Sequence, residues 1–491
     1  MRATQHADEA LQRRVPSYSP LNARLEALQA HVASSWPATF EEGVETIMAS
    51  PAAIHRRHSG SFSEHSRLLQ PTPTAADARD TFGHGHGGSA HGKMNYKEAV
   101  FNAINVLLGV GVLSSPFALR SSGMLVGVPL FFFFTFVTNH TGKLLGYCLD
   151  YQEGMQTYPD IGEAAFGTRG RLVISVIFFS ELFTACAMFN VLIGDTLAAL
   201  VPAFNEQQMA VLAFLVVMPT LWTTHLSLLS YFSLIGILSS LFCLFTVYYV
   251  GFAIDPTTPE YTTGSLLEPQ PLEPIADTER IPLAIGLTMV AFGGHSVFPS
   301  ICSSMQDRAE YPKVLNVAYF IVCLVYGAIE LGGYLMFGVH TTKEITLNLI
   351  AVYPGVLTRL VVWTIALNPM SKIAITITPI ALALEEFVLT PQEMSEPGSR
   401  RTKMFRAFIR TVLGVSALFC ALFVPHFARV TSFLGAFFAM LASVFLPCVC
   451  YIKLFAHRLP RWEIWLNAAL AGLSLVFTVV GTAASFTSPA D

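Results

Sequence analysis

The chain has few charged residues. Only 13% of its 491 residues are charged and 53% are hydrophobic, whereas a soluble domain carries about 25% charged residues. This composition excludes an ordinary soluble domain and predicts a membrane protein. The net charge of -4 also argues against a basic nucleic-acid-binding surface, so we expect a lipid bilayer and no nucleic acid among the partners.

The sequence also lacks the patterns of a metal centre, a catalytic site or a channel. Its 8 cysteines are scattered, nearly all within apolar segments, as at Cys186, Cys243 and Cys420, and none has the paired spacing of metal ligands. No nucleophile lies beside a base, and no selectivity-filter repeat is present. We therefore expect no catalytic residue, no metal and no cofactor, so the chain is not expected to be an enzyme.

Residues 1–95 differ from the rest because they contain no apolar run long enough to span a membrane. A cleaved signal peptide is not expected, since Met1 to Ala30 has no apolar core. We interpret 1–95 as a cytoplasmic, largely disordered region that could bind cytoplasmic partners. Its His-rich stretch, Gly83 to Gly88, fits either a metal-binding tract or a solvated linker.

From residue 97 onward, apolar runs of bilayer length follow one another. They predict an all-α polytopic protein with a transmembrane domain at 96–485 and a short tail at 486–491. We expect eleven spans, approximately at 97–119, 124–149, 171–200, 208–223, 228–254, 281–304, 314–338, 356–386, 404–424, 430–453 and 462–484.

Lysine and arginine in the short loops predict the orientation. With the N-terminus in the cytoplasm, the cytoplasmic side receives clusters such as Arg169–Arg171 and Arg400–Arg406, and the loop from Asp255 to Glu279 on the other side is acidic. An odd number of spans then leaves the C-terminal tail on the luminal or extracytoplasmic side.

Two of the apolar segments contain helix-breaking residues in their middles. Glycines and a proline interrupt the first span between Asn105 and Pro116, and the sixth between Ala291 and Pro299. Unwound backbone within a membrane is tolerated where it is buried in protein or lines a cavity. Because both breaks open a unit of five spans, they predict an inverted 5+5 repeat plus one helix, with a transporter's substrate site at the breaks.

The breaks supply the predicted substrate-binding residues. A half-helix starting near Ser114 to Phe117 would present its positive end to a carboxylate, and glycines would admit a ligand against bare backbone. Close helix packing is the alternative use of these small residues. The predicted binding residues are Gly109, Gly111, Val112, Ser114, Ser115, Gly293, Gly294 and His295.

Polar and charged residues inside the spans are the next candidates, since a charge at the bilayer centre costs at least about 2.5–3.5 kcal/mol. They fit either a proton relay and cavity or a structural role such as an internal Glu–Lys pair. Near the cytoplasmic end of the eighth span, Glu385 and Glu386 are expected to be solvated. The candidate coupling and cavity residues are Glu181, Asn190, Glu330, Asn368 and Lys372.

Several motifs resemble the amino acid/auxin permease family, in particular its vacuolar amino-acid transporter branch and proteins like the vesicular inhibitory amino acid transporters. The resemblance covers nearly all of residues 95 to 484. The motifs are Asn105–Pro116, Tyr158–Gly167 with Gly170–Arg171, Gly294–Pro299, Tyr311–Leu315, and Asn368–Pro369 through Lys372 to Leu384–Glu386.

The resemblance implies a leucine-transporter-type fold and proton-coupled transport of neutral amino acids across a vacuolar or lysosome-like membrane. It implies that the first break holds the amino and carboxylate groups of the substrate, and that the sixth span shapes the side-chain pocket. Sodium remains open as the coupling ion, since Thr376 and Thr378 lie on the eighth span. A sodium-coupled or plasma-membrane carrier and an amino-acid sensor are the alternatives.

Overall fold

The computed structural model describes residues 94–152, 154–222, 226–254, 263–388, 400–423 and 426–487. The described residues contain no β-strand, and one isolated bridge joins Met94 to Met305. The helices are α1 Tyr96–Leu107, α2 Gly111–Ser122, α3 Met124–Leu149, α4 Tyr158–Leu200, α5 Glu206–Leu221, α6 Leu226–Ala253, α7 Ile281–Ala291, α8 Phe298–Ser304, α9 Tyr311–Phe337, α10 Ile345–Val352, α11 Val356–Val388, α12 Arg400–Phe423, α13 Phe427–Phe455 and α14 Arg461–Thr487.

The all-α polytopic fold class is confirmed. In the described part of the chain, 8 helices are long and apolar enough to cross a membrane, and the bent pair α1–α2 raises this number to 9. Each of the eleven predicted spans coincides with a helix or a broken helix, but α5 and α7 are shorter apolar helices. The count of eleven stays a prediction, as do the domain boundaries at 95 and 485.

Side-chain caps begin the helices where the sequence supplies them. Asn95 accepts a hydrogen bond from the Glu98 amide, and the Glu98 carboxylate accepts one from the Asn95 amide. Thr157 and Asp160 make the same reciprocal pair at the start of α4. These capping boxes satisfy amide groups that the first helical turn leaves without partners.

Helix α4 is longer than its predicted span because it includes a helical segment before the membrane. Gly167 has a φ of +68° and divides this segment from the span. The buried Arg171 pairs with Asp160 at 3.4 Å and also with Glu163. These ion pairs hold the Tyr158–Phe166 segment against the beginning of the span.

Helix α13 is wound partly as a π-helix, at Leu434–Ala439 and Leu441–Phe445. The Tyr158 hydroxyl donates to the carbonyl of Ala442 at 2.6 Å. Wider winding frees carbonyl groups from the regular helical pattern, and such segments are common at functional positions. The contact fixes the beginning of α4 to the middle of α13.

The expectation that Glu385 is solvated is wrong. This side chain is buried, with Arg406 at 3.4 Å and Arg410 at 3.1 Å. The two arginines come from α12, so the sequence around Glu385 could not reveal them. The side chain of Glu386 and the His-rich stretch at Gly83–Gly88 lie outside the described residues.

Candidate functional site

The first break is short. It runs from Leu108 to Val110, between α1 and α2, which meet at 53°. The second half-helix therefore starts at Gly111, earlier than the predicted start near Ser114 to Phe117. The amides of Gly109 and Leu113 bond the carbonyls of Leu107 at 2.9 Å and Val110 at 3.0 Å.

Local hydroxyl groups explain why α2 continues through its proline. Pro116 has no amide hydrogen to bond the Val112 carbonyl. The Ser115 hydroxyl donates to that carbonyl at 3.0 Å, and Ser114 donates to the carbonyl of Gly111 at 3.3 Å. Both serine side chains are buried, and they stabilise their own helix.

Tyr326 of α9 holds the first break. Its hydroxyl donates to the Leu107 carbonyl at 3.0 Å and accepts from the Gly109 amide at 3.3 Å. One phenol thus satisfies two backbone groups that an unbroken helix would have paired internally. The ring is fully buried beside Phe292, at a centroid distance of 6.0 Å.

The second break extends from Phe292 to Val297, between α7 and α8. His295 is fully buried there, and its Nε2 lies 3.0 Å from the Thr138 carbonyl and 3.0 Å from the Thr141 hydroxyl of α3. Because a carbonyl oxygen only accepts, this nitrogen carries the hydrogen. His295 Nδ1 is buried and has no hydrogen-bond partner among the described residues.

Glu181 of α4 also contacts the second break. The Ser296 hydroxyl donates to Glu181 Oε2 at 2.5 Å. A hydrogen bond to an ionised carboxylate is stronger than one between neutral groups. The protonation state of Glu181 therefore bears directly on how firmly α4 holds the unwound backbone.

The two breaks pack against each other. A Cβ at Gly111 would lie 3.0 Å from the Cα of Ala291, and one at Gly294 would lie 2.9 Å from a methyl group of Val106. These glycines are required for close approach of α2 to α7 and of the second break to α1. Gly109 is different, because a Cβ there would have no atom within 4 Å.

A small cavity of about 10 Å³ lies beside the first break, with room for about one water molecule. Asn368 Oδ1, from α11, is buried with no hydrogen-bond partner in the described part of the chain. An amino acid needs more space, so its entry requires these helices to separate. The lining residues are Gly109, Val110, Val112, Leu113, Ser239, Ser240, Ile365 and Asn368.

The remaining predicted residues do not meet at one point. Asn190 is buried and donates to the carbonyl of Cys186 within α4. Glu330 is buried on α9, and Lys372 is partly buried on α11. Among the described residues no ion pair joins Lys372 to Glu181 or Glu330, so the internal Glu–Lys pair is not observed.

The sequence reasoning missed three residues that contact the breaks, namely Tyr326, Ser296 and Thr138. Tyr326 carried a detectable signal, since a phenol in the middle of a span needs a polar partner. Ser296 follows His295 directly in the second motif. Thr138 contributes a backbone carbonyl, for which residue type gives no signal.

The overall architecture is similar to that of solved membrane transporters. The solved structure of a Na⁺-coupled sialic acid symporter in its substrate-bound, outward-open state matches 79% of this chain and 88% of that chain, with a TM-score of 0.51 and 14% identity. The likeness places the protein in the leucine-transporter-type fold class. At this level of identity it concerns the fold alone.

Residues 92–489 match the family described as transmembrane amino acid transporter protein. The chain belongs to this family, the amino acid/auxin permeases. It is 36% identical to amino acid transporter AVT1D of Arabidopsis thaliana over 79% of this chain and 69% of that protein. Identity is also 36% to AVT1E of the same plant, over 79% and 72%.

The predicted family and class are therefore confirmed. The protein is a multi-pass membrane transporter of amino acids and not an enzyme.

Proposed function

We propose that the protein carries neutral amino acids across a vacuolar or other acidic organelle membrane, coupled to protons, by alternating access around the two breaks. The hydrogen bond from Ser296 to Glu181 carries the proposal, because it joins an ionisable group directly to a side chain of the unwound segment. Adding a proton to Glu181 weakens this bond, and removing the proton strengthens it. Proton binding and movement of α7 and α8 are thereby linked.

The cavity lining supports neutral substrates. None of its residues carries a charged side chain, so a charged substrate side chain would be desolvated there without a partner. Asn368 Oδ1 offers a hydrogen-bond acceptor and can meet an ammonium group. We place the substrate's amino and carboxylate groups at the first break and its side chain towards Gly293, Gly294 and His295.

The orientation follows from the loop charges, with the N-terminus in the cytoplasm and the C-terminus in the lumen. In an acidic lumen the proton gradient is directed towards the cytoplasm. Protons that leave the lumen through the transporter can therefore drive amino acids into the organelle by exchange, or out of it by cotransport.

Uptake of labelled amino acids into liposomes that contain the purified full-length protein tests this proposal. A pH gradient and a sodium gradient are imposed separately, with protein-free liposomes as the control. We expect accumulation of neutral amino acids with the pH gradient alone. Accumulation that requires sodium would overturn proton coupling, and binding without transport under either gradient would indicate a sensor.

A further inference from the structure

The loop at residues 338–344, between α9 and α10, is attached to two other elements. Arg120 at the end of α2 donates to the Thr341 carbonyl at 2.6 Å. Lys343 Nζ lies 2.6 Å from Asp195 Oδ2 on α4. Thr196, the next residue of α4, donates to Glu344 Oε2 at 3.2 Å. The loop thus joins the outer half of the first broken helix to the outer end of α4.

The groups around this loop carry unbalanced charge. Asp195 and Glu344 are 3% and 0% exposed, and the neighbouring cation is Lys343, which pairs with Asp195. With both carboxyl groups ionised, the set bears one uncompensated negative charge. Glu344 Oε1 is buried and has no hydrogen-bond partner among the described residues, although the carboxyl group of Asp195 is close enough to interact with it.

A single proton resolves both defects. It would neutralise the set, and it would give Glu344 Oε1 a hydrogen bond to make. Burial of an uncompensated charge is unfavourable. Binding of the proton therefore stabilises the loop in its position against α4. A metal ion fits less well, because the Lys343 ammonium already pairs with Asp195 and the described residues contain no metal-type cluster.

We propose that Asp195, Glu344 and Lys343, which lie outside the two breaks, form a binding site for one proton that fastens the loop at 338–344 onto α4. The site lies on the predicted luminal side and is independent of the coupling proposed for Glu181. When the proton is bound, the loop holds α2 and α4 together and closes the outer end of the transport path. When it leaves, the attachment weakens.

Other charged groups near this site are few. Glu206 of α5 lies 4.0 Å from Lys343 and also interacts with Asp195. Its side chain is half exposed, so water screens its charge. Arg120 is bonded to the Thr341 backbone, His340 is exposed, and Arg359 of α11 is exposed. Helix α10, which follows the loop directly, contains no charged residue.

The direction of the pH effect follows from Glu344. Burial, with the charge of Asp195 in addition, raises the pKa of the Glu344 carboxyl well above its usual range. Burial alone would lower the pKa of Lys343, but the carboxylate of Asp195 reverses this and raises it, so the lysine stays charged. A raised carboxyl pKa stabilises the docked loop at acidic pH, and that contribution is lost as pH rises towards the raised value.

Amide hydrogen exchange of the purified full-length protein measures this opening. Exchange in the peptide covering 338–352 is compared at about pH 5 and about pH 8, values chosen to bracket a raised carboxyl pKa. Each exchange rate is divided by the rate in a peptide from α14, so that the change of the chemical exchange rate with pH cancels. We expect opening to increase at the higher pH by about tenfold for each unit by which the pKa of Glu344 is higher in the docked loop than in the open loop.

Glu344→Gln replaces the protonated carboxyl with a neutral group of the same shape and should keep the loop protected at both pH values. Glu206→Gln, which removes the half-exposed carboxylate near Lys343, is the matched control and should retain the wild-type response. A wild-type loop whose corrected exchange does not change with pH would overturn the proposal. So would a Glu344→Gln protein that keeps the wild-type response. No substrate or gradient enters this experiment, so its failure leaves the transport proposal standing.

Discussion

The two breaks of this transporter are held by different chemistry. A neutral phenol, Tyr326, bonds the backbone of the first break at 3.0 and 3.3 Å. In the second break, Ser296 bonds the ionisable side chain of Glu181, and the imidazole of His295 bonds the Thr138 carbonyl. The first break is also shorter, and a glycine with open space beside it, Gly109, lies at its centre.

This difference indicates that the two breaks have different roles. The first break has a glycine beside a small cavity, whereas the second is bonded to a carboxyl group that can gain or lose a proton. Because the breaks pack together at Gly111 and Ala291, a movement of one break displaces the other. The following variants test this comparison, beginning with the largest expected effect.

Gly111→Leu should abolish transport. Its side chain would enter the contact with Ala291, where even a Cβ lies 3.0 Å from the Cα, and overpacking of this kind costs about 1–3 kcal/mol. Uptake into liposomes, normalised to folded protein, measures the effect. Gly472→Leu is the matched control, since a Cβ there has no atom within 4 Å. Near-normal uptake by folded Gly111→Leu protein would contradict both the contact and the substrate-site assignment.

Glu181→Gln should reduce proton-driven uptake by about tenfold or more, since a hydrogen bond to a charged group contributes about 1.5–3 kcal/mol. The remaining uptake should depend less on pH, because the titrating group at the second break is gone. Initial rates across a series of pH values provide the measurement. A variant whose pH profile matches the wild type would show that the proton acts elsewhere.

Tyr326→Phe removes the hydroxyl group that holds the first break. We expect a smaller loss of uptake, about fivefold, because a neutral hydrogen bond contributes about 1 kcal/mol. The pH profile should keep its wild-type shape, in contrast to Glu181→Gln. If the two variants changed the pH profile equally, the proposed difference between the breaks would be wrong.

Gly109→Ala should have the smallest effect. The added methyl group meets no atom within 4 Å, so the amount of folded protein should not change. The methyl group reduces the space beside the first break and should weaken apparent substrate affinity by about fivefold at most, or about 1 kcal/mol. The half-saturating substrate concentration measures this. A loss of folded protein instead would show that Gly109, like Gly111, is required for packing.

Much of the fold was predictable from residue type and order. Apolar runs of bilayer length placed most of the membrane helices within a few residues, since a helix in lipid must pair its own backbone polar groups. Glycine and proline located both breaks for the same local reason. The start of α2 was misplaced because Ser114 and Ser115 bond their own helix and carry it past Pro116.

The sequence by itself determined the membrane class, the family, the approximate helices and the positions of the two breaks, because these depend on neighbouring residues. Only the tertiary structure decided which groups meet. Ser296 and Glu181 are 115 residues apart, and Glu344 and Thr196 are 148 apart. Such pairs depend on how whole helices pack, and the same packing buries Glu385 against α12 and leaves Gly109, but not Gly111, beside open space.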